Sequence, residues 1–382
     1  MDLSFDKEQK MIKESAREFL EKECSSDLIR EMEEDQKGYS AELWRKMAEL
    51  GWLGLIFPVE YASIESGGSG GNFFDLIILF EEIGRYLAPV PFLETVILGG
   101  LTLLYGGSEK QKREILPKIA EGEEILTMAF MELAASYDAA GINVQAIRDR
   151  NMFYLNGRKF FVPYAHVADH IVCATRTKDS KGKEDGITLF LVEAGDPHVC
   201  CTLLSTLACD KQCEVVFDRT AVTEEDIIGK TNLGWGVLAE VLQQAAIAQC
   251  AWMVGGAERV LEMTVSHAKE RVQFDHPIGS YQAVQHRCAD MLIDLEGAKF
   301  ITYEAAWRLS QGLSYAREAS VAKAWVNQGY QRICANGHQI HGGNGVMKDS
   351  DMQLYSRRAK AAEYYWGDTN FHREILAQQL GL

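Results

Sequence analysis

The sequence predicts an α+β fold that is mostly α, with a helical domain at the start, a β domain in the middle and a four-helix bundle at the end. Three observations predict it. Apolar residues recur at helical spacing through roughly the first 120 residues, β-branched and aromatic runs broken by turn residues fill about 121–230, and four long amphipathic segments follow. The expected domains are therefore 1–120, 121–230 and 231–382. No alternation of strands and helices appears, which argues against a dinucleotide-binding Rossmann fold.

Asp6 is placed to cap the first helix, with Gln9 three positions on to complete a capping box. Met11, Ile12, Ala16, Phe19 and Leu20 then follow at helical spacing. The Gly- and Ser-rich stretch Ser63 to Gly71 breaks that pattern. Apolar helical segments resume through Leu116, with Pro117 near the end of one. In the middle region, Phe153-Tyr154-Leu155 and Arg158-Lys159-Phe160-Phe161 flank Asn156-Gly157. Asn-Gly between such runs predicts a hairpin, because both central positions of a type I′ turn need positive φ. Ile171 to Cys173, Ile187 to Val192 and Val215 to Phe217 read as further strands. The C-terminal helices are expected over about 235–269, 281–310, 315–338 and 350–378, with breakers at Pro277-Ile278-Gly279 and Gly342 to Gly345.

Composition narrows the function. The 382 residues are 47% hydrophobic, ample for a large core, and carry a formal net charge of −16. Such a surface repels phosphate backbones and anionic lipid, so neither nucleic-acid nor membrane-surface binding is expected. An anionic ligand would need a local basic patch. No apolar run reaches the ~18 residues a membrane helix needs. The polar, acidic start MDLSFDKEQK reads as neither a secretory signal nor a transit peptide. The nine cysteines are odd in number and scattered. Cys209 and Cys213 form a C-x3-C pair with no second pair, so no metal site is expected. The natural compartment is the reducing cytoplasm.

Two segments carry chemistry. Gln339-Ile340-His341-Gly342-Gly343-Asn344-Gly345 lies between helices, and its glycines let a backbone approach a phosphate or a flavin edge. Taken alone it is equally what a flexible interhelical loop looks like. Upstream, Arg271 is suited to a pyrophosphate and sits beside Gln273 and Phe274, whose ring can pack on another ring. Pro277-Ile278-Gly279-Ser280-Tyr281-Gln282 follows. The ordered series Arg-x-Gln-Phe, Ile-Gly-x-x-Gln and Gln-x-x-Gly-Gly-x-Gly within a helical bundle is far more specific than any of its parts.

On these residues the chain resembles the acyl-CoA dehydrogenase family, nearly end to end. The resemblance implies an N-terminal helical domain, a middle β-barrel domain and a C-terminal four-helix bundle around FAD and an acyl-CoA thioester. It implies a homotetramer in which neighbouring subunits share each FAD, and electron-transferring flavoprotein as the electron acceptor. By position, Arg271, Gln273, Phe274 and Gln282 would touch the FAD of the adjacent subunit, and Gln339, Gly342 and Gly343 would meet its pyrophosphate and adenosine side. The segment from Met128 through Phe130 and Met131 to Tyr137 sits where the family writes its flavin- and CoA-contacting stretch. Here the usual Thr is Met131 and the usual Ser is Tyr137. Phe161 replaces the aromatic residue near the flavin, and Pro163 replaces a Thr whose hydroxyl reaches it; proline supplies neither hydroxyl nor N–H.

The family reaction needs a carboxylate base at the substrate α-carbon. In the matching segment Tyr365-Trp366-Gly367-Asp368 the base position is Trp366, whose indole cannot accept a proton. The alternative family position, on the first bundle helix, is Ala245, with Ala246 beside it. Among the remaining carboxylates, Glu94 aligns with the far end of the acyl pocket and lies in an apolar stretch that would raise its pKa. It could equally be a half-exposed helix glutamate. Asp368 either reaches in from the base loop or caps the next helix, the commoner role. Tyr137, Tyr365, Trp366 and Gly367 are expected to wall the substrate, and the Trp366 N–H to hold the thioester carbonyl as the base residue's N–H does in the family. Two functions fit these substitutions. One is a dehydrogenase for cyclic or bulky acyl-CoA whose base is relocated to Glu94. The other is a catalytically silent subunit of a heterotetramer with an active homologue.

Overall fold

The computed structural model describes residues 5–62, 68–178 and 182–382, so positions 63–67 of the expected Ser63 to Gly71 break lie outside the described residues. Its helices are α1 (Lys7–Glu23), α2 (Ser26–Glu34), α3 (Ala41–Glu49), α4 (Phe73–Arg85), α5 (Thr102–Gly106), α6 (Glu109–Ala120), α7 (Gly234–Glu270), α8 (Gln282–Ser310), α9 (Ala316–His341), α10 (Asp351–Tyr364) and α11 (Thr369–Gln379). A π-helix spans Leu93–Leu101. The strands are β1 (Leu126–Ala129), β2 (Gln145–Asp149), β3 (Met152–Pro163), β4 (His170–Arg176), β5 (Ile187–Glu193), β6 (Val199–Leu204), β7 (Gln212–Thr223), β8 (Ile227–Ile228), β9 (Val272–Gln273) and β10 (His276–Pro277). The chain packs as two compact units that do not follow chain order. One comprises Met1–Arg30, Asn72–Ala88 and Ala246–Leu382, and the other Glu31–Gly71 and Pro89–Ala245.

The first unit is helical. Asp6 caps α1 as a full capping box, accepting from the Gln9 N–H at 2.9 Å. α4 is the buried heart of the unit: of its thirteen residues, only Asp75 is not buried. A β-carbon on Gly84 would lie 1.9 Å from the Trp252 carbonyl oxygen, and one on Gly255 would lie 1.8 Å from that of Glu81. α4 and α7 therefore cross backbone on backbone, and glycine is what permits it. Two carboxylates ride into this core and are paired there. Glu81 accepts from Lys13 and, at 2.5 Å, from the Tyr303 hydroxyl, while Glu82 accepts from Arg17 Nε at 3.0 Å and Nη2 at 2.8 Å.

Two expectations for the helices need correction. The helix expected over about 350–378 is two helices, because Trp366 (φ +58°) and Gly367 (φ +107°) turn the chain left-handed between α10 and α11. And α7 is, by length and composition, long and apolar enough to cross a membrane, which the sequence reading missed because Glu240 and three glutamines interrupt the run. Of its apolar window 72% is buried within the protein, as in a core helix.

The second unit carries an eight-stranded sheet in the order β6-β7-β3-β2-β4-β5-β8, with β1 added parallel to β4. Ala129, Phe153, Leu155, Val162, Phe190, Val215 and Phe217 lie in its core. The hairpin expected at Asn156-Gly157 is absent. Both residues lie inside the continuous strand β3, where Asn156 pairs with Gln145 and with Asp218. The reversal comes one turn earlier, between β2 and β3, where Arg150 takes φ +57°. Gly157 (φ +142°) instead serves close packing, since a β-carbon there would sit 2.8 Å from Val144.

Candidate active site

In the second unit, Glu94 is held by the π-helix. Gly99 and Gly100 let this segment approach Leu126 and Phe57, where β-carbons would come within 2.3 Å and 2.5 Å. The Thr95 hydroxyl bridges the Leu126 N–H and carbonyl, at 3.3 Å each, and so ties the segment to β1. From Leu87 to Leu103 every residue is buried except Glu94, which is half-buried. A π-helix is rare and recurs at functional sites. Burial pushes the Glu94 carboxyl up to about 7, and the charge of Asp210 adds to the effect. Asp210 is itself fixed by Thr206 at 2.5 Å and Gln212 at 2.7 Å. A group with that affinity for a proton can both take and give one near neutral pH.

The same unit brings the two expected flavin-contacting segments side by side. The Phe160 N–H donates to the Met131 carbonyl at 3.0 Å, and the Thr127 hydroxyl to the Pro163 carbonyl at 2.6 Å. Lys159 is fully buried and clips them together, donating to the Phe130 carbonyl at 3.1 Å and to Glu132 at 2.8 Å. Met128 and Phe130 face the core, while Met131, Tyr137 and Pro163 are partly accessible. Phe161 is different. A bulge between Lys159 and Val162 gives it φ +55°, and the residue is 54% exposed. A non-glycine residue in that conformation is strained, and such strain collects at functional sites.

In the first unit, the β9–β10 hairpin turns through Phe274 (φ +54°) and Asp275 (φ +65°), leaving Phe274 86% exposed at its tip. The Gln273 carbonyl accepts from the Tyr281 hydroxyl at 3.2 Å, which braces the hairpin against the start of α8 beside Gln282. The rings of His267 and His341 stack, with centroids 4.3 Å apart. That contact gathers the Arg271 end of α7 and the Gln339-to-Gly345 turn at the end of α9. Gly342 and Gly343 face open space, and Gly342 has φ +59°.

Trp366 sits in the α10–α11 turn, partly accessible, between the partly accessible Tyr365 and the buried Gly367. Asp368 caps α11, accepting from the Phe371 N–H at 2.8 Å. Ala245 and Ala246, the alternative base positions, are fully buried in α7.

These residues fit FAD. Among the described residues, exposed Arg271 has no ion pair and the buried His338 Nδ1 and His341 Nε2 have no hydrogen-bond partner, and the Gly342-Gly343 turn leaves room for a phosphate. In the helical unit, Phe274 offers an exposed side chain from a positive-φ turn. Sequence reasoning missed the groups that build these places: Lys159, His267 and His341, and around Trp366 the buried Ser320, Lys323, Asn327 and His372. Three of the last four carried a signal, since Ser320, Lys323 and Asn327 recur at helical spacing among the apolar residues of one segment.

A helical, β, helical chain of this build, with these segments in this order, defines a flavin-dependent oxidoreductase. The models of the acyl-CoA dehydrogenase N-terminal, middle and C-terminal domains match residues 6–123, 127–220 and 232–381. A subunit of the caffeyl-CoA reductase-Etf complex of Acetobacterium woodii is 30% identical over 98% of this chain and 99% of its own. Cyclohex-1-ene-1-carbonyl-CoA dehydrogenase of Geobacter metallireducens is also 30% identical, over 98% of each chain. The structure of butyryl-CoA dehydrogenase from Megasphaera elsdenii superposes with a TM-score of 0.92 at 27% identity, covering 100% of both chains. The chain belongs to the acyl-CoA dehydrogenase family and is an FAD-dependent oxidoreductase.

Proposed function

We propose that this enzyme dehydrogenates the CoA thioester of a cyclic or bulky acid, with Glu94 as the base. The observation that carries the proposal is Glu94 itself: the one accessible residue in a long buried stretch, with a proton affinity near neutrality. The likeness to a cyclohexene-carbonyl-CoA dehydrogenase supports a ring substrate. Bound FAD supplies the two-electron acceptor. In the helical unit Arg271, Gln273, Phe274, Gln282, Gln339, Gly342 and Gly343 would contact an FAD, and in the sheet unit Met128, Phe130, Met131, Phe161 and Pro163 would do so. Glu94 accepts the proton lost from a substrate carbon and releases it to solvent through its open edge. The Trp366 N–H receives the thioester carbonyl, and Tyr137, Tyr365 and Gly367 wall the substrate. Placement of such a base contributes roughly 10²–10⁴-fold in rate.

Electron-transferring flavoprotein is the proposed acceptor, a partner supported by the Etf-complex relative. The exposed Leu292, Ile293 and Phe300 of α8 support a homotetramer. The test is anaerobic bleaching of the bound flavin by cyclohex-1-ene-1-carbonyl-CoA, repeated in Glu94→Gln. Equal bleaching in both proteins removes Glu94 from the mechanism. A silent subunit of a heteromer is the second reading, favoured by the Trp366 replacement and the buried alanines at 245 and 246. Copurification with a glutamate-bearing homologue would support it, and turnover by the chain alone as a homo-oligomer would sink it.

A further inference from the structure

The turn that carries Trp366 is pinned from below by a row of buried polar side chains that none of the roles above uses. Ser320, Lys323 and Asn327 recur on one face of α9, and all three are buried, Lys323 and Asn327 completely. The Lys323 ammonium donates to Asn327 Oδ1 at 2.7 Å, to the Ala362 carbonyl at 3.0 Å and to the Glu363 carbonyl at 3.2 Å. Three acceptors match its three N–H groups, and a cation on the last carbonyls of α10 suits the helix dipole. Asn327 Nδ2 adds a second donor to the Glu363 carbonyl at 3.2 Å.

On the far side of the turn, His372 Nε2 bonds the Trp366 carbonyl at 3.0 Å, and His372 Nδ1 meets the Ser320 hydroxyl at 3.3 Å. A carbonyl can only accept, so Nε2 carries the hydrogen and Nδ1 accepts from Ser320. Burial and the nearby Lys323 lower the His372 pKa to about 4, which keeps this neutral tautomer in place. Gly367 lets the imidazole in, since a β-carbon there would lie 2.5 Å from Nε2. The chain from Glu363 to Trp366 is thus held at both ends from one face of α9, and Trp366 between the anchors is kept at φ +58°.

We propose that Ser320, His372, Lys323 and Asn327 are positioning residues that aim the Trp366 N–H at the substrate carbonyl. This rests on the proposed role of that N–H. The test uses FAD-loaded protein and a 3-(4-dimethylaminophenyl)acryloyl-CoA probe, whose absorption moves to the red when its carbonyl is polarised. The wild-type protein should red-shift the probe. His372→Leu should lose that shift and bind the thioester about tenfold more weakly, while a CoA thioether lacking the carbonyl binds within about twofold of wild type. His372→Gln, which keeps a donor, should restore part of the shift. Ser320→Ala, a milder change that only frees the imidazole, should reduce it and serves if His372→Leu does not fold. A full shift in folded, FAD-loaded His372→Leu or in Ser320→Ala overturns the positioning role. No shift in the wild type overturns the proposed carbonyl site, and the positioning role with it.

Discussion

Replacing Glu94 by Gln should stabilise the protein in a pH-dependent way, because an isosteric amide removes a charge that its surroundings disfavour. The carboxyl titrates near 7 in the folded protein against 4.5 in an open chain. Its folded pKa is the higher one, so the folded state holds the proton longer; the resulting stability is complete below about 4.5 and is lost as pH rises through 7. The gap corresponds to roughly 3 kcal/mol once Glu94 is ionised. The Glu94→Gln protein bears no such loss. Its advantage should be under about 1 kcal/mol at pH 5 and reach roughly 3 kcal/mol at pH 8. A 382-residue chain unfolds with an entropy of about 0.8 kcal/mol/K, so the gain in Tm should be about 1 °C at pH 5 and about 4 °C at pH 8. Differential scanning calorimetry of both FAD-loaded proteins across this range measures it. An advantage that does not change with pH would show that the carboxyl is not held in a disfavouring site, and the case for Glu94 as base would fall with it.

Three further outcomes follow from the geometry. Arg17→Met leaves the fully buried Glu82 without its bidentate partner and should cost about 3 kcal/mol, read as a lower urea midpoint. Phe161→Gly removes a ring from a left-handed position, so it should relieve about 1 kcal/mol of strain and raise Tm by about 1 °C, yet weaken FAD retention measured by flavin absorbance after gel filtration. Arg271→Met should weaken FAD binding about tenfold at low salt, and by less at high salt, in a fluorescence titration of apoprotein.

The order of helices, strands and helices was legible because it is written in periodicity, and so was the Asp6–Gln9 capping box, which is local. What escaped the sequence was geometry decided by distant partners. Asn156-Gly157 has the local chemistry of a tight turn, but pairing of β3 with both β2 and β7 keeps the chain extended through it. Nothing local marks Phe161, Phe274 or Trp366 for positive φ, since aromatic residues avoid it. The π-helix under Glu94 depends on Leu126 and Phe57 accepting Gly99 and Gly100. Trp366 was legible as a substitution, whereas the clamp beneath it joins residues far apart along the chain, such as Lys323 with Ala362 and Ser320 with His372.

The crossing of α4 on α7 also has a consequence for how the chain is made. α4 leaves the ribosome with its apolar side chains and two carboxylates ready for burial, but Gly255 and Trp252, onto which it packs, are synthesised about 170 residues later. At synthesis rates of roughly 5–20 residues per second that delay is on the order of 10–30 seconds. During it α4 can pair with α1 through Lys13 and Arg17, while the face that meets α7 stays uncovered. The yield of folded enzyme should therefore depend on that interval as well as on the stability of the finished protein.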